Sequence, residues 1–301
     1  MKTVISIFAL LFVVFPAVVR AEGKLRIVTT LCAYASIAQA VGGENVAAVC
    51  IAPPRFDPHF IEPRPSDVLK LKRADLFIHS GLDLEAWRDP LVNAAARAEV
   101  RYGGTRELDL SLGIRLLEVP VGQPSRAEGD IHMFGNPHYW LDPRNGVIIA
   151  RSIGSRLAQI DPQHAAGYNS RTDEFVARLQ AGIVRWRDAL APFKGRELVA
   201  HHNGWVYLMD FAGLETVDFL EPKPGIPPTP RNLERIMGLI PARGIRGIVR
   251  ASWDMPEAAA TVAGKTGVGV SVLVSNPGEL PEVSDYISMF DYNVQELLKV
   301  M

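Results

Sequence analysis

Residues 25–51 read LRIVTTLCAYASIAQAVGGENVAAVCI, and they carry the fold in miniature. Leu25-Arg26-Ile27-Val28-Thr29-Thr30 is a short run rich in β-branched residues, which suits a strand. Ala33 to Val41 reads as a helix, stopped by Gly42-Gly43. Asn45 to Ile51 returns to a short apolar run, a second strand. Short strands alternating with helices predict a parallel sheet with helical crossovers.

The same rhythm continues outward. A Pro-rich turn from Pro53-Pro54 to Pro65 leads to a helix that Ser66 would cap and that runs to Arg73. Leu76 to His79 is a strand and Leu84 to Ala96 a helix, while Leu108 to Gly135 reads as an irregular surface loop. Gly146 to Ile160 and Ala165 to Leu190 are long helices. In the second of these, Leu179, Ile183, Trp186 and Leu190 recur at helical spacing, so one face is predicted to be buried. A second α/β unit follows. Its strands are Leu198 to His201, Thr216 to Leu220, Gly247-Ile248-Val249 and Val268 to Val274. Its helices are Gly204 to Phe211, Pro230 to Leu239, one capped by Asp254 with Glu257 and running to Lys265, and Asp285 to Leu298. The predicted class is α/β: two Rossmann-like lobes with parallel sheets, spanning 22–160 and 195–301 and joined by a rigid helix over 161–194.

Met1-Lys2-Thr3 followed by the apolar run Val4 to Val19 and by Arg20-Ala21 has the pattern of a secretory signal peptide, residues 1–21. The run is short for a spanning helix and Pro16 interrupts it, which weighs against a membrane anchor. No Cys directly follows it to take a lipid. The expected mature chain starts near Glu22 in the periplasm, with 30 basic against 33 acidic residues, a net charge of −3. Nucleic-acid binders carry a basic face, and nothing here suggests one. Cys32 and Cys50 form a disulfide or serve as two buried small hydrophobes; spacing alone leaves both readings open.

Three places offer histidine in a turn or at a strand end: Asp57-Pro58-His59, Asn136-Pro137-His138-Tyr139-Trp140-Leu141-Asp142-Pro143, and Val199-Ala200-His201-His202-Asn203. Neutral imidazole is the commonest protein metal ligand. Each has a plainer reading. His59 fits a hydrogen-bonded surface turn, His138 can be buried by its aromatic neighbours, and one ring of the His201-His202 pair can satisfy a backbone group. His79, His132 and His164 read as structural or exposed. In open parallel sheets, however, ligands sit outside the carboxyl ends of strands, and a cleft between two lobes there would gather all three sites.

The stretch Asp57 to Asp67, then Ala74-Asp75-Leu76-Phe77 and Gly81 to Trp87, resembles the solute-binding proteins of zinc and manganese ABC importers. So do Asn136-Pro137-His138 with Leu141-Asp142-Pro143, and His202-Asn203-Gly204-Trp205 with Tyr207 and Phe211 to Leu214, and the closing Asp285-Tyr286 to Asn293. The motifs run in order over nearly the whole mature chain. The resemblance implies one metal between two lobes, held by His59, His138 and His202, with the register of the third motif selecting His202 over His201. It also implies an ABC permease as partner, and a monomer is expected. Two departures stand out. Ser275 occupies the place where the family usually has an aspartate ligand, so the fourth donor falls to water or another carboxylate, Glu221 first and Asp254 second. The His- and acid-rich loop of many zinc-specific members shrinks here to Glu128, Asp130 and His132. The Pro-rich stretch from Glu221 to Pro228 resembles a subgroup of these proteins whose metal is less settled.

Three imidazoles and one small ligand match tetrahedral zinc, whereas manganese favours more oxygen donors and iron is a further alternative. Three histidines plus water also describe a hydrolytic zinc site. Against an enzyme, the chain has no His-Glu-x-x-His helix and no Gly-x-Ser-x-Gly elbow.

Overall fold

The computed structural model describes residues 23–122, 132–223 and 225–301. The signal-peptide reading, Glu128, Asp130 and Pro224 of the Pro-rich loop therefore lie outside the described residues. The first half runs β1 (Leu25–Thr29), α1 (Cys32–Gly42), β2 (Val46–Cys50), α2 (Pro65–Arg73), β3 (Leu76–His79), α3 (Arg88–Ala95) and β4 (Glu107–Asp109). Its strands form one parallel sheet in the order β2-β1-β3-β4. Two long helices follow, α4 (Pro143–Ile160) and α5 (Ala165–Leu190). The second half runs β5 (Glu197–Ala200), α6 (Val206–Ala212), β6 (Glu215–Phe219), α7 (Pro230–Arg243), β7 (Gly247–Ala251), α8 (Pro256–Thr266), β8 (Gly269–Leu273) and α9 (Tyr286–Leu298). It repeats the plan, with a parallel sheet in the order β6-β5-β7-β8.

In each sheet the chain starts in an inner strand, pairs it first on one side and then crosses to the other. That reversal opens a crevice at the carboxyl ends of the strands. The α/β class with two parallel sheets and a long helix is as the sequence predicted, and α5 has the predicted bounds. Its 26 residues extend about 39 Å at 1.5 Å per residue. Leu179, Ile183, Trp186 and Leu190 are all buried. Trp186 packs at a tilt against Phe290 of α9, with centroids 5.3 Å apart, and donates to Asp291 at 2.7 Å, which ties α5 to the second half. α4 and α1 pack on the same helix from the first half. At Gly154 of α4, a Cβ would lie 2.1 Å from Thr172 Oγ1 of α5, so only glycine permits this approach.

The largest apolar cluster runs continuously through both halves, from Leu25 to Val300. Buried polar bonds reinforce it. Tyr286 Oη donates to the Trp140 carbonyl (2.6 Å), Trp140 Nε1 to the Ser275 carbonyl (2.9 Å), and the Ala33 amide to Asn276 Oδ1 (3.1 Å). A shared core of this kind resists wide hinge opening, because separating the halves would expose it to water.

Several element ends differ from the sequence reading. β4 straddles the start of the segment read as irregular; three residues are too few to show an alternating pattern. α2 starts at Pro65, which needs no N–H there, and Asp67 reaches back to the Arg64 amide at 2.8 Å. α3 begins at Arg88 because residue 82 has positive φ and Glu85 turns back to accept from the Ser80 amide at 3.0 Å. α4 begins at Pro143, capped by Asp142, which accepts from the Arg144 amide at 2.8 Å.

Cys32 and Cys50 are joined as a disulfide across 18 positions, linking the start of α1 to the end of β2. Closing a loop of this size removes conformational freedom from the unfolded chain. Replacing both cysteines with serine is expected to lower unfolding free energy by about 2–4 kcal/mol in urea titrations. Equal midpoints for variant and parent under oxidising conditions would count against a stabilising bond.

Candidate metal centre

The site forms where the carboxyl ends of both sheets meet. The loop after β2 delivers His59 from a single 3-10 turn, Pro58–Phe60. The Pro at the first position of that turn and the Asp57 cap fix its entry. His138 stands just before the turn Tyr139–Leu141, whose rings are sunk in the core. β5 ends at Ala200, and two residues later the chain presents His202. The ligand atoms of His59, His138 and His202 all lie within 4.8 Å of one another, and together they could hold a metal ion. Ring centroids are 5.1 Å apart for His59–His138, 5.7 Å for His59–His202 and 5.9 Å for His138–His202. Donors around zinc at about 2.05 Å stand roughly 3.3 Å apart, so the rings would need to close in by up to about 1.5 Å.

Each ring is oriented from behind. Nδ1 of His59 bonds Asp57 Oδ1 at 2.6 Å, Nδ1 of His138 bonds Asn136 Oδ1 at 2.9 Å, and Nδ1 of His202 bonds Glu221 Oε2 at 2.8 Å. The Asn136 oxygen also accepts the His138 amide at 3.1 Å, while its Nδ2 donates to Glu118 at 3.0 Å and to the Asn203 carbonyl at 2.9 Å, which fixes which end of that amide faces the ring. All three partners are acceptors. Each Nδ1 therefore carries the proton and each Nε2 keeps a free lone pair, the tautomer that metal binding requires.

The electrostatics differ from ring to ring. Burial, followed by the like charges of His59, His202 and His132, pushes the His138 imidazole well below its ordinary pKa, so it stays neutral. Burial also works against charge on His202. The Glu221 hydrogen bond and the fields of Glu221, Asp57 and Asp254 outweigh it and raise the pKa. Asp57 is partly buried, which works against its charge, but its bonds to His59 hold it below the usual carboxylate value.

The cavity is 40 Å³, and Trp140, Trp205, Trp253 and Ser275 complete its wall. A Cβ on Gly204 would stand 3.6 Å from His138 Nε2, so any longer side chain there would invade the space. Of the fourth-donor candidates, Glu221 has one oxygen on His202 Nδ1, and the same oxygen accepts the Gly225 amide at 3.1 Å. Asp254 lines the cavity but does not cap α8, contrary to the sequence reading. Met255 is the cap residue, Pro256 opens the helix, and Asp254 turns back to accept the Ala251 amide at 2.7 Å. Ser275 is buried, with its hydroxyl shared between Asn276 and Glu279.

One histidine departs from expectation. His132, read as structural or exposed, stacks on His59 at 5.2 Å, with its Nε2 3.2 Å from the His59 Nε2 and its Nδ1 on Asp83 at 2.8 Å. The two Nε2 atoms stand at hydrogen-bond distance, so His132 faces the same His59 nitrogen that a metal would take. The sequence placed this residue only in the shortened acidic loop, and a single His there has no periodicity or partner spacing to tie it to His59. His201 is buried behind β5 and stands outside the triad. His79 is the satisfied core residue expected of it, paired with Glu107 and accepting the Gly81 amide at 3.0 Å; His164 bonds Asp161 at 2.8 Å.

Comparison with known proteins follows the same lines. Residues 27–300 match the family model described as ZnuA, zinc-uptake complex component A, periplasmic. The iron-binding protein YfeA of Yersinia pestis is 27% identical over 92% of this chain and 86% of its own length. The manganese ABC transporter substrate-binding lipoprotein scaA of Streptococcus gordonii is 32% identical over 53% of this chain and 49% of its own. A crystal structure of ZnuA superimposes with a TM-score of 0.77 at 22% identity, covering 92% of this chain and 99% of that one. The family consists of non-catalytic solute-binding proteins, which sets aside the hydrolase reading. The chain belongs to the ZnuA family of periplasmic metal-binding proteins that serve metal ABC importers.

Proposed function

We propose that this chain is the zinc-capturing protein of an ABC importer, holding the ion with His59, His138 and His202 and delivering it to the membrane permease. The observation that carries the reading is the convergence of the three imidazoles, with ligand atoms within 4.8 Å of one another and an oxygen acceptor on each Nδ1. An all-nitrogen set of this kind suits zinc better than manganese, which prefers oxygen. The carboxylates of Asp57 and Glu221 each have an oxygen engaged in orienting a ring. Iron, the metal in the printed name of the Yersinia relative, is the competing cargo. We place the working molecule in the periplasm after removal of residues 1–21, acting as a monomer of two lobes, 22–160 and 195–301, on a connector over 161–194.

The test is a titration of metal-free mature protein with zinc, manganese and iron(II) in competition, followed by anomalous scattering at each absorption edge. Zinc is expected at one ion per chain and with the lowest Kd. Preferential retention of iron or manganese would reassign the cargo.

His132 gives a further expectation. Because its Nε2 stands 3.2 Å from the His59 Nε2, metal entry must displace it at the cost of that contact. His132→Ala is expected to bind zinc as tightly as the parent or up to about tenfold more tightly. A loss of affinity in the same titration would instead assign His132 to the metal's shell.

A further inference from the structure

A groove of 990 Å³ runs beside the metal cavity, and Asp57, Glu221, Trp253 and Asp254 line both spaces. Its walls are apolar and come from both halves of the chain: Phe56 and Phe60 from the loop after β2, Leu233 from α7, Met255 and Ala258 from the start of α8. Phe60 is 67% exposed and Met255 72% exposed. Large apolar side chains left in water around a concavity of this size mark a binding site for an organic molecule. The polar groups gather at the inner end, where the acids shared with the metal cavity meet His201. That ring is 5% exposed, and its buried Nδ1 has no hydrogen-bond partner among the described residues. Among the described residues that line the groove, Arg55 is the only Arg or Lys, and its Nε is spent on the Glu279 carbonyl at 2.6 Å. Three carboxylates and an unpartnered imidazole at that end favour a nitrogen base over an acid.

The donor set of the metal centre points the same way. Three imidazoles leave a fourth position, and Glu221, Asp57 and Asp254 each have one carboxylate oxygen engaged elsewhere. A donor supplied from the groove would reach the ion past the four shared residues.

We propose that the groove binds a small organic nitrogen base carrying an apolar ring, of imidazole or pyridine type, whose nitrogen completes the metal's shell, so that the ion is carried as a mixed complex. This rests on the three-histidine reading above and names what would share that site. The ring lies between Phe60 and Met255, and the nitrogen lies on the metal.

Cobalt(II) in the mature chain provides the readout, because its visible spectrum responds to a new donor. The loaded protein is titrated with imidazole and, separately, with 4-phenylimidazole. Both are expected to shift the cobalt bands, with the phenyl compound binding about tenfold more tightly, the effect of burying part of a ring. In Phe56→Ser/Met255→Ser, both at exposed positions, cobalt and imidazole binding are expected to stay at parent levels while the phenyl advantage disappears. Equal affinities for the two probes on the parent, an advantage that survives the double substitution, or binding without a spectral shift would each overturn the proposal. Failure to hold cobalt at all, or retention unaffected by His59→Ala, would overturn the metal-centre reading itself and this one with it.

Discussion

His138→Ala is expected to weaken zinc binding by about 10²–10³-fold. Of the three rings, His138 is the most deeply placed, 5% exposed, with its orientation fixed through Asn136. Burial and neighbouring like charges keep it neutral, so its lone pair needs no deprotonation before it meets a metal. Apparent zinc affinities in small structural sites amount to about 10–16 kcal/mol. One donor of three or four then carries roughly 3–4 kcal/mol, which is the stated loss in Kd. Competition against a chromophoric chelator measures it, and His59→Ala and His202→Ala should give losses of the same order. The melting temperature separates ligand loss from misfolding. With zinc bound to the folded state alone, the parent gains RT ln(1 + [Zn]/Kd), and the variants should lose that gain while their metal-free melting stays near the parent's. If all three variants kept parental affinity and stoichiometry, the site would lie elsewhere.

What the sequence made legible, and what it concealed, follows from which interactions are local. β1, α1 and β2 are signalled by β-branched runs and a Gly-Gly stop, all within 27 residues. α5 is signalled by its own periodicity. The three histidines were visible because each stands in a turn or at a strand end, and their convergence follows from two sheets that both point their carboxyl ends at one crevice. The roles of Asp254 and His132 were not visible. Asp254 had a local explanation as a helix cap, but Pro256 needs no capped N–H at its own position, and the carboxylate found the Ala251 amide instead. The contact of His132 with His59 spans 73 positions, and its anchor on Asp83 spans 49; neither separation leaves a trace in a one-dimensional pattern. The disulfide is an intermediate case: spacing left the pairing open, and the parallel register that sets Cys50 opposite Thr29 brought it within reach of Cys32.

Acidification is expected to release the metal, starting at a higher pH than an ordinary imidazole would allow. A bound metal requires Nε2 of His202 without its proton, so protons and metal compete for the same atom. The Glu221 bond and the surrounding carboxylates raise the His202 pKa above 6.5 despite its burial. The sign follows directly. Above that raised pKa the ring is neutral and affinity is flat; below it, affinity falls about tenfold for each pH unit per competing proton. Between pH 8 and pH 5.5 the fall should exceed about tenfold, with the bend on the alkaline side of 6.5. His138, already neutral, should add nothing to the bend. Glu221→Gln isolates the cause. Losing the carboxylate behind His202 lowers the ring's basicity, so affinity at pH 8 should drop by about 10–100-fold. The bend itself should move to lower pH, because burial then acts on the ring with the largest opposing interaction gone. A variant that weakened binding at pH 8 but kept the parental bend would show that Glu221 only positions the ring, and that the proton competing with the metal sits on another group.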